Sequence, residues 1–371
     1  MAARNEEKNK MQKTMQAAFL PGNSTVELRT VPVPSPGHGE VLLRVKASTI
    51  CGSDIRCIYH EHLGKGPEGY QGVIAGHEPC GQIVEVGPGC RRFKTGDRVI
   101  VYHISGCGLC NDCRRGYMIS CTSEQYRRAY GWQRDGGMAD YMIAEEKDLI
   151  ALPDELSYAD GAQVACGFGT VYEGIEKIGI NGNHAVLIMG LGPVGLAAAA
   201  LCRKLGAQQI IGVDLVDERL RLARRLGLCD NTLLFGAENV SQIKELTGGF
   251  GVERAVECSA NAAARATAIR ATRKWGKMVF IGEGGSFEIN PSPDMIHDQK
   301  TLYGSWVTST WLMEELVERL VRWDLHPADI ITHRFSLHQA AEAYALMASG
   351  KCGKVAVCAD EELAAPANAS N

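Results

Sequence analysis

Four cysteines within fifteen residues constrain the fold of this chain more than any other feature of the sequence. They follow the pattern Cys-x2-Cys-x2-Cys-x7-Cys and are Cys107, Cys110, Cys113 and Cys121. Thiolates at such short spacings can surround one tetrahedral Zn²⁺, and a shell of four sulfurs leaves no open coordination position. A common iron–sulfur run instead ends in Cys-x3-Cys-Pro, whereas the last gap here is seven residues with no proline. We therefore predict a structural zinc site in this segment.

The composition is that of an ordinary soluble globular protein. Of the 371 residues, 45% are hydrophobic and 22% are charged, and a chain of this length can form two domains with separate cores. The formal net charge of -4 provides no general attraction to nucleic acid or acidic membranes, so we expect neither as a partner. No signal peptide or membrane span is visible, which predicts a cytoplasmic protein. The first fifteen residues and the final AAPANASN are predicted to be loose tails, with Met11 or Met15 as alternative starts.

The hydrophobic pattern changes character near residue 160. Before it, strand-like runs broken by glycine and proline predict a β-rich domain; they are Val41–Ser48, Gly81–Gly87 and Asp97–His103. After it, short and fully apolar strands alternate with helices, which predicts a parallel sheet covered by helices. These strands are Ala185–Gly190, Gln209–Asp214, Glu253–Cys258 and Lys277–Gly282. The helices are Val194–Leu205, Glu218–Leu226 and Ala262–Thr272.

The end of the chain departs from this alternation. It contains two amphipathic helices, Trp311–Arg322 and Leu337–Ser349, followed by a final strand, Lys354–Ala359. This arrangement predicts an α/β fold in which a split first domain, residues 1–160 and 306–371, is interrupted by a doubly wound domain of residues 161–305.

A glycine-rich loop follows the first of the apolar strands. Its sequence, G-L-G-P-V-G, includes Gly190, Gly192, Pro193, Val194 and Gly195. It matches the G-x-G-x-x-G pattern between a strand and a helix, where glycines permit a tight turn and the close approach of a pyrophosphate to the helix N-terminus. We therefore predict a dinucleotide-binding site at this loop.

An acidic residue ends the next apolar strand. Asp214 lies 24 residues after Gly190, where a carboxylate can accept hydrogen bonds from both ribose hydroxyls. It would repel a 2′-phosphate, which favours NAD over NADP. Arg219 opposes this preference, because a nearby arginine could pair with that phosphate. We predict NAD as the cofactor, with both side chains beside its ribose.

Three further residues can form a second metal site. Cys51 follows a predicted strand, His77 lies 26 residues later, and Cys166 lies close to the boundary of the α/β domain. Two cysteines and one histidine leave the fourth position of a tetrahedral zinc open to water or substrate, which is typical of catalytic zinc. Each residue alone has an ordinary alternative as a buried core side chain, so the prediction depends on all three together.

Together these motifs resemble those of the zinc-dependent medium-chain dehydrogenase/reductase family. The resemblance rests on the Gly-His-Glu of residues 76–78, the four-cysteine segment and the glycine-rich loop, and it extends from about Gln16 to Ala359. Within the family the chain is most similar to the polyol, threonine and sugar dehydrogenase branch, and to bacterial zinc-type alcohol dehydrogenase-like proteins. The resemblance implies a GroES-like catalytic domain and a Rossmann domain with the active site in the cleft between them. It also implies two zinc ions per chain.

The resemblance further implies roles for residues near the catalytic zinc. The three residues of the second metal site would be its ligands. Glu78 would be a neighbouring carboxylate that enters the shell while water and substrate exchange. Asp54 would orient His77 and fix its tautomer, and Ser53 would take the proton of the substrate hydroxyl.

Two positions depart from the pattern of the family. Many polyol dehydrogenases carry an acid where Cys166 stands, so the third ligand resembles that of the alcohol dehydrogenases. The proton relay often ends in a histidine five residues after the first ligand, and here that position is Arg56. The relay would then use His60 or water, and the sequence does not decide between them.

The expected substrate pocket is polar. By position in the family pattern, Tyr59–His62 and Tyr102–His103 should line it, with Tyr130, Trp132 and Arg134 either nearby or simply packed. A polar pocket favours a ligand with several hydroxyls, because unpaired buried polar groups are costly. We predict zinc- and NAD-dependent oxidation of a secondary alcohol, on a polyol, sugar or cyclitol, to a ketone.

Other functions and the assembly stay open at this point. A threonine-type amino-alcohol or simple alcohol dehydrogenase is an alternative, and a non-catalytic nucleotide-binding protein is a more distant one. The family resemblance implies a homodimer or homotetramer. The segment Ser286–Val307 ends in strand-like residues that could pair across a two-fold axis or within the chain.

Overall fold

The computed structural model describes residues 13–363. The predicted tails therefore lie largely outside the described residues. Thr14 and Met15, which we predicted to belong to the first tail, are instead in the first strand. The reason is packing, because Met15 is buried in a small apolar cluster with Ala17 and Ile74.

The first sheet is mainly antiparallel and takes strands from both ends of the described chain. The strands before residue 160 are β1 Thr14–Phe19, β2 Glu27–Pro32, β3 Glu40–Thr49, β4 Glu78–Val86, β5 Arg98–Val101, β6 Ile104–Ser105, β7 Arg128–Ala129, β8 Tyr141–Glu145 and β9 Leu149–Ala151. The last two strands of the described chain are β16 Ile331–Phe335 and β17 Lys354–Cys358. The seven-stranded sheet has the order β16-β17-β3-β4-β5-β9, with β8 also paired to β3, while β1-β2 and β6-β7 form separate two-stranded sheets.

The second sheet is parallel throughout. Its strands are β10 Ala185–Met189, β11 Gln209–Asp214, β12 Asn231–Leu234, β13 Val252–Glu257, β14 Thr272–Phe280 and β15 Thr301–Gly304. Their order is β12-β11-β10-β13-β14-β15, which is the doubly wound order of dinucleotide-binding folds. All five side chains of β10 are buried, because helices cover both faces of such a sheet.

Helices connect these strands and cover the sheets. They are α1 Gly52–Asp54, α2 Asn111–Arg114, α3 Tyr158–Gln163, α4 Gly169–Ile178, α5 Pro193–Lys204, α6 Asp217–Arg225, α7 Asn239–Leu246, α8 Ala262–Ala271, α9 Thr310–Trp323, α10 Ala340–Ser349 and α11 Asp360–Leu363. Short π-helical turns occur at Ile55–Tyr59, Val164–Phe168 and Ser292–Ile296. Single 3₁₀ turns occur at Gly66–Glu68, Met118–Ser120, Glu146–Asp148, Pro327–Ile330 and Leu337–Gln339. Across residues 13–363, no helix is both long and apolar enough to cross a bilayer.

The predicted fold class is confirmed, because a β-rich part completed by the end of the chain accompanies a doubly wound parallel sheet. The predicted domain boundaries, 160/161 and 305/306, stay predictions. The segment Ser286–Val307 contributes β15, which pairs with β14 inside the chain and lies at the edge of the sheet. The point where the strand order reverses lies between β10 and β13, and a ligand crevice is expected there at the carboxyl ends of the strands.

Candidate active site and metal centres

The four clustered cysteines converge on one point. The Sγ atoms of Cys107, Cys110, Cys113 and Cys121 all lie within 4.8 Å of one another. Two of them, Cys113 and Cys121, are buried, and the other two are partly exposed. Local spacing therefore produces the four-sulfur arrangement that a closed tetrahedral zinc site requires.

Backbone amides support negative charge on these sulfurs. The Sγ of Cys107 accepts hydrogen bonds from the N–H groups of Leu109 and Cys110, at 3.4 and 3.3 Å. Backbone N–H donors, first that of Cys113, lower the pKa of the Cys110 thiol to about 6. Gly106 allows the close packing, because a Cβ there would lie 2.6 Å from the Cys113 Sγ. The donor set thus fits a zinc thiolate site.

A second group of candidate ligands comes from distant parts of the chain. Cys51 directly precedes α1, and Cys166 lies in the π-helical turn before α4. His77 directly precedes β4, and Glu78 is the first residue of that strand. One ligand atom from each of these four residues lies within 4.8 Å of the others. The structure therefore brings together the three predicted ligands and the predicted neighbouring carboxylate.

Asp54 holds the imidazole of His77 in one orientation. The Nδ1 of His77 lies 2.7 Å from the Asp54 Oδ1, and the other oxygen of Asp54 accepts the N–H of Cys51 at 2.9 Å. Because a carboxylate can only accept, Nδ1 carries the hydrogen, and Nε2 is left with a lone pair for a metal. Burial lowers the pKa of His77, but the Asp54 carboxylate and Cys51 outweigh this effect and raise the pKa well above its ordinary value.

Glu78 is buried and pairs with a lysine that the sequence analysis missed. Its Oε2 accepts from the Nζ of Lys354 at 2.6 Å and from the Oγ1 of Thr49 at 2.5 Å. Burial would lower the pKa of Lys354, but the neighbouring Glu78 raises it. Burial also raises the pKa of Glu78, against the effect of Lys354, so the short contact between the two groups is the evidence for an ion pair. The Oε1 of Glu78 has no partner among the described residues. A buried carboxylate oxygen without a donor, close to two thiols and an imidazole, fits a site that holds a cation.

The pKa values of the two thiols of this cluster are shifted in opposite directions. A hydrogen bond from Cys166 lowers the pKa of Cys51 well below its ordinary value. The same contact raises the pKa of Cys166, and burial adds to the rise. One thiolate in a buried pocket beside His77 is consistent with a metal-binding pair, since a bound metal would deprotonate the second thiol.

The cluster opens into a cleft of about 540 Å³. One side of the cleft is formed by residues that follow β10, β13 and β14, among them Val194, Ser259 and Gly282. Cys51, Ser53, His77, His103, Trp132 and Cys166 are among the residues of the other side. The candidate ligands therefore face the carboxyl edge of the parallel sheet, where the crevice was expected. A second cavity, of about 680 Å³, lies at residues 13–16, 44–46 and 357–360 and contains none of the candidate ligands.

The prediction for the pocket wall is partly wrong. His103 and Trp132 line the cleft, but Tyr59–His62 do not. Tyr59 is buried against Tyr344, with ring centroids 5.6 Å apart, and His62 bonds to the carbonyl of Leu20. Tyr59, in the π-helical turn Ile55–Tyr59, points into the core, whereas His60, Glu61 and His62 are exposed on the surface. Sequence periodicity did not reveal either placement.

Three other predicted wall residues belong to the interior of the β-rich part. Tyr102 is fully buried and donates to the carbonyl of Thr308 at 2.6 Å. Tyr130 donates to the buried carboxylate of Asp148 at 3.0 Å, and Arg134 pairs with Glu145. The prediction that Tyr102 lines the pocket is therefore wrong, and for Tyr130 and Arg134 the alternative of plain packing is correct.

Arg56, at the position of the expected relay histidine, spans the cleft. Its guanidinium lies 3.2 Å from the carboxylate of Glu283, which follows β14. His60 instead contacts the Ser24 hydroxyl at 2.9 Å and does not line the cleft. Glu283 was missed because nothing in its local sequence marks a residue that faces another part of the fold.

The glycine-rich loop has the geometry of an anion-binding turn. Gly190 has a φ of +92°, which favours glycine, and a Cβ on Gly195 would collide with the carbonyl oxygen of Gly190. Gly192 caps α5 without a side-chain hydrogen bond, and Pro193 is the first residue of the helix. Unpaired N–H groups at the start of a twelve-residue helix fit a pyrophosphate.

Asp214 and Arg219 lie beside this loop. The carboxylate of Asp214 accepts the N–H of Leu191 at 2.6 Å and the N–H of Val216 at 2.8 Å. The guanidinium of Arg219 lies 3.6 Å from the same carboxylate, and its Nε has no partner among the described residues. The two side chains therefore lie beside the place where a ribose bound at the loop would be. Backbone N–H groups hold the Asp214 carboxylate in position.

Comparison with known proteins places these features in one family. The model of the alcohol dehydrogenase GroES-like domain matches residues 37–154, and that of zinc-binding dehydrogenases matches residues 193–322. The chain is 57% identical over 350 residues to the uncharacterized zinc-type alcohol dehydrogenase-like protein YphC of Escherichia coli (strain K12), covering 93% of this chain and 99% of that protein.

More distant relatives have named substrates. Sorbitol dehydrogenase of Bacillus subtilis (strain 168) is 30% identical, covering 92% of this chain and 97% of the relative. L-threonine 3-dehydrogenase of Coxiella burnetii (strain Dugway 5J108-111) is 32% identical, covering 88% and 94%. A crystal structure of a zinc-binding dehydrogenase from Sinorhizobium meliloti 1021 bound to NADP is 28% identical, with a TM-score of 0.83, covering 94% and 100%. The chain therefore belongs to the zinc-binding alcohol dehydrogenase family.

Proposed function

We propose that this protein is a dehydrogenase that uses zinc and NAD to oxidise a secondary hydroxyl of a polyol, sugar or cyclitol to a ketone. The observation that carries the proposal is the cluster of Cys51, His77, Glu78 and Cys166 within 4.8 Å, open to a cleft that meets the dinucleotide loop. A cluster buried away from that edge would have favoured a purely structural metal.

The chemistry is shared between the bound groups and the protein. When held by Cys51, His77 and Cys166, zinc would supply Lewis-acid polarisation of the substrate oxygen. NAD would accept the hydride at its nicotinamide ring. The protein fixes the geometry, because Asp54 holds His77 at Nδ1 and Lys354 holds one oxygen of Glu78. Glu78 keeps its other oxygen available to the cluster.

Ser53 is the group placed to take the substrate proton. It lines the cleft beside Cys51, and its hydroxyl has no hydrogen-bond partner among the described residues. Arg56 cannot accept a proton, because a guanidinium stays charged at ordinary pH, and His60 lies outside the cleft. We infer that the proton passes from Ser53 to water at the mouth of the cleft.

Cofactor choice depends on the residues beside the glycine-rich loop. Asp214 presents a carboxylate that would accept ribose hydroxyls and repel a 2′-phosphate. The related structure bound to NADP and the nearby Arg219 are the arguments for the phosphorylated cofactor. We propose NAD, since the Asp214 carboxylate lies within hydrogen-bond reach of the loop itself.

The lining of the cleft is more apolar than the sequence predicted, although Ser53 and His103 present polar groups to it. These groups and the relationship to sorbitol dehydrogenase support the substrate class. The relationship to L-threonine 3-dehydrogenase supports the alternative of an amino alcohol. The test is the absorbance of NADH formed on incubation with polyols, sugars, cyclitols, simple alcohols and L-threonine, using Cys51→Ser as the inactive control.

We expect a polyol, sugar or cyclitol to be the best substrate of that panel. A higher kcat/KM for ethanol or L-threonine would overturn the substrate class and leave the dehydrogenase assignment intact. No NADH from any member would overturn the enzyme assignment. His77→Ala should abolish turnover while NADH binding, measured by its fluorescence, persists, because the loop that holds the cofactor is formed by other residues.

A further inference from the structure

Two ring nitrogens in the cleft have no protein partner. His103 and Trp132 both line the cleft, and both rings pack against His77, with centroids 5.2 and 6.1 Å away. The Nε2 of His103 and the Nε1 of Trp132 make no hydrogen bond with any described residue. Neither atom is fully enclosed by protein, so a ligand that fills the cleft would remove both from water and has to satisfy their hydrogen-bonding capacity to avoid that cost.

The chemical character of the His103 nitrogen is set by its environment. Nδ1 lies 2.8 Å from the carbonyl oxygen of Ala165, and a carbonyl can only accept, so Nδ1 carries the hydrogen. Nε2 of the neutral ring is then only an acceptor.

The position of this acceptor is tied to the metal ligands. Ala165, which anchors the ring, directly precedes the ligand Cys166, and the ring packs on the ligand His77. The side chain is only 5% exposed, so it has little freedom to turn. Any movement of His103 would have to displace one of these two neighbours, and the acceptor therefore keeps a fixed place relative to the metal site.

We propose that Nε2 of His103 accepts a hydrogen bond from the hydroxyl on the carbon next to the one that is oxidised, so that the substrates are 1,2-diols. This inference rests on the proposed function. Oxygens on neighbouring carbons lie ~3 Å apart, close to a hydrogen-bond length. When one oxygen of the substrate lies at the metal site, the oxygen on the next carbon therefore lies near the adjoining wall of the cleft, which contains His103. A substrate without that hydroxyl leaves Nε2 unpaired, and a ketone or ether cannot replace it because neither donates.

The charges of the cleft favour a neutral diol over an amino acid. Two arginines line the cleft, Arg56 and Arg127. Arg56 pairs with Glu283, and Arg127 pairs with Glu68. Within the described part of the chain, the cleft thus offers no unpaired arginine or lysine for a substrate carboxylate, which L-threonine would require.

The test compares trans-1,2-cyclohexanediol, 1,3-cyclohexanediol and cyclohexanol as substrates of the zinc-loaded protein with NAD. In the unaltered protein, kcat/KM should be higher for the 1,2-diol than for either other alcohol by about tenfold or more. In His103→Phe this ratio should fall to near one. Thr170→Val, which removes a hydroxyl elsewhere in the same cleft, should change all three alcohols alike and keep the ratio.

A binding measurement provides a readout that does not depend on turnover. In the complex with NADH, none of these alcohols can be oxidised, so calorimetric titration reports binding alone. The unaltered protein should bind the 1,2-diol about tenfold tighter than cyclohexanol, and His103→Phe should bind both equally. His103→Gln has an amide oxygen that can accept a hydrogen bond, so this variant should retain part of the difference in affinity between the two alcohols. It is also the variant to measure if His103→Phe does not fold.

The outcomes separate the two proposals. Equal kcat/KM and equal affinity for the 1,2-diol and cyclohexanol in the unaltered protein would overturn the role of His103 while leaving the dehydrogenase assignment intact. A diol preference that survives in both His103 variants would overturn it as well. If no alcohol of the wider panel reduces NAD, the proposed function fails and this inference fails with it.

Discussion

The Nζ of Lys354 lies 2.6 Å from the Oε2 of Glu78, and both side chains are buried. Lys354 is the first residue of β17, and Glu78 is the first residue of β4. Both strands belong to the seven-stranded sheet, on either side of β3. A strand from the end of the chain therefore supplies the counter-charge for a carboxylate of the metal site.

Breaking this pair should be costly. Lys354→Met leaves the Glu78 charge buried without its partner, and we expect a loss of about 3–5 kcal/mol in the free energy of unfolding. Urea denaturation of the zinc-loaded protein measures the effect. The double variant with Glu78→Gln should recover part of the loss, because it removes the uncompensated charge. A loss below about 1 kcal/mol in the single variant would show that the pair contributes as little as an exposed one.

Two zinc ions per chain should be found by metal analysis of carefully prepared protein. The ions should be inequivalent, because one cluster is closed and the other is open to the cleft. Cys113→Ser should remove one zinc and lower stability, since a structural zinc contributes directly to folding. Cys51→Ser should remove the other and mainly abolish turnover. One zinc or fewer in the unaltered protein contradicts this prediction.

Cofactor preference should depend on Asp214. We expect kcat/KM to favour NAD over NADP by about tenfold or more, and Asp214→Gly or Asp214→Ser to narrow or reverse that ratio. Asp217→Asn is the matched control, because its side chain is 57% exposed in the first turn of α6. The ratio of kcat/KM for NAD to kcat/KM for NADP is the quantity to compare. Loss of the hydrogen bond between Asp214 and Leu191 would disturb the loop and lower both values, but it would leave their ratio unchanged. Equal use of the two cofactors by the unaltered protein would refute the assignment.

The protein should assemble as a homodimer or homotetramer. One edge of β15 pairs with β14, and the other edge has no partner strand in residues 13–363. The backbone N–H of Trp275 donates to the carbonyl oxygen of Asp298, just before this strand. The residue is 69% exposed. Light scattering at micromolar concentration measures the mass, and a monomer there would exclude this assembly.

Local spacing in the sequence by itself determined the closed metal cluster and the glycine-rich loop. Cys107 and Cys121 are close in sequence, so short turns suffice to bring their sulfurs together. Gly190 and Gly195 likewise act within one strand-to-helix turn. Such features depend on local geometry that the order of residue types already specifies. The alternation of apolar strands and helices specified the doubly wound fold class for the same reason.

Only the tertiary structure decided the surroundings of the open metal cluster. Lys354 reads in sequence as an ordinary charged residue at the start of an apolar strand, and its role appears only when β17 lies beside β3. Arg56 meets Glu283 across a cleft, and the tautomer of His103 depends on a carbonyl 62 residues away. The π-helical turn places Tyr59 in the core, and the chain that follows carries His60 and His62 on the surface away from the cleft. Contacts between segments that are distant in sequence depend on how the sheets pack against each other. Short-range residue patterns do not predict that packing.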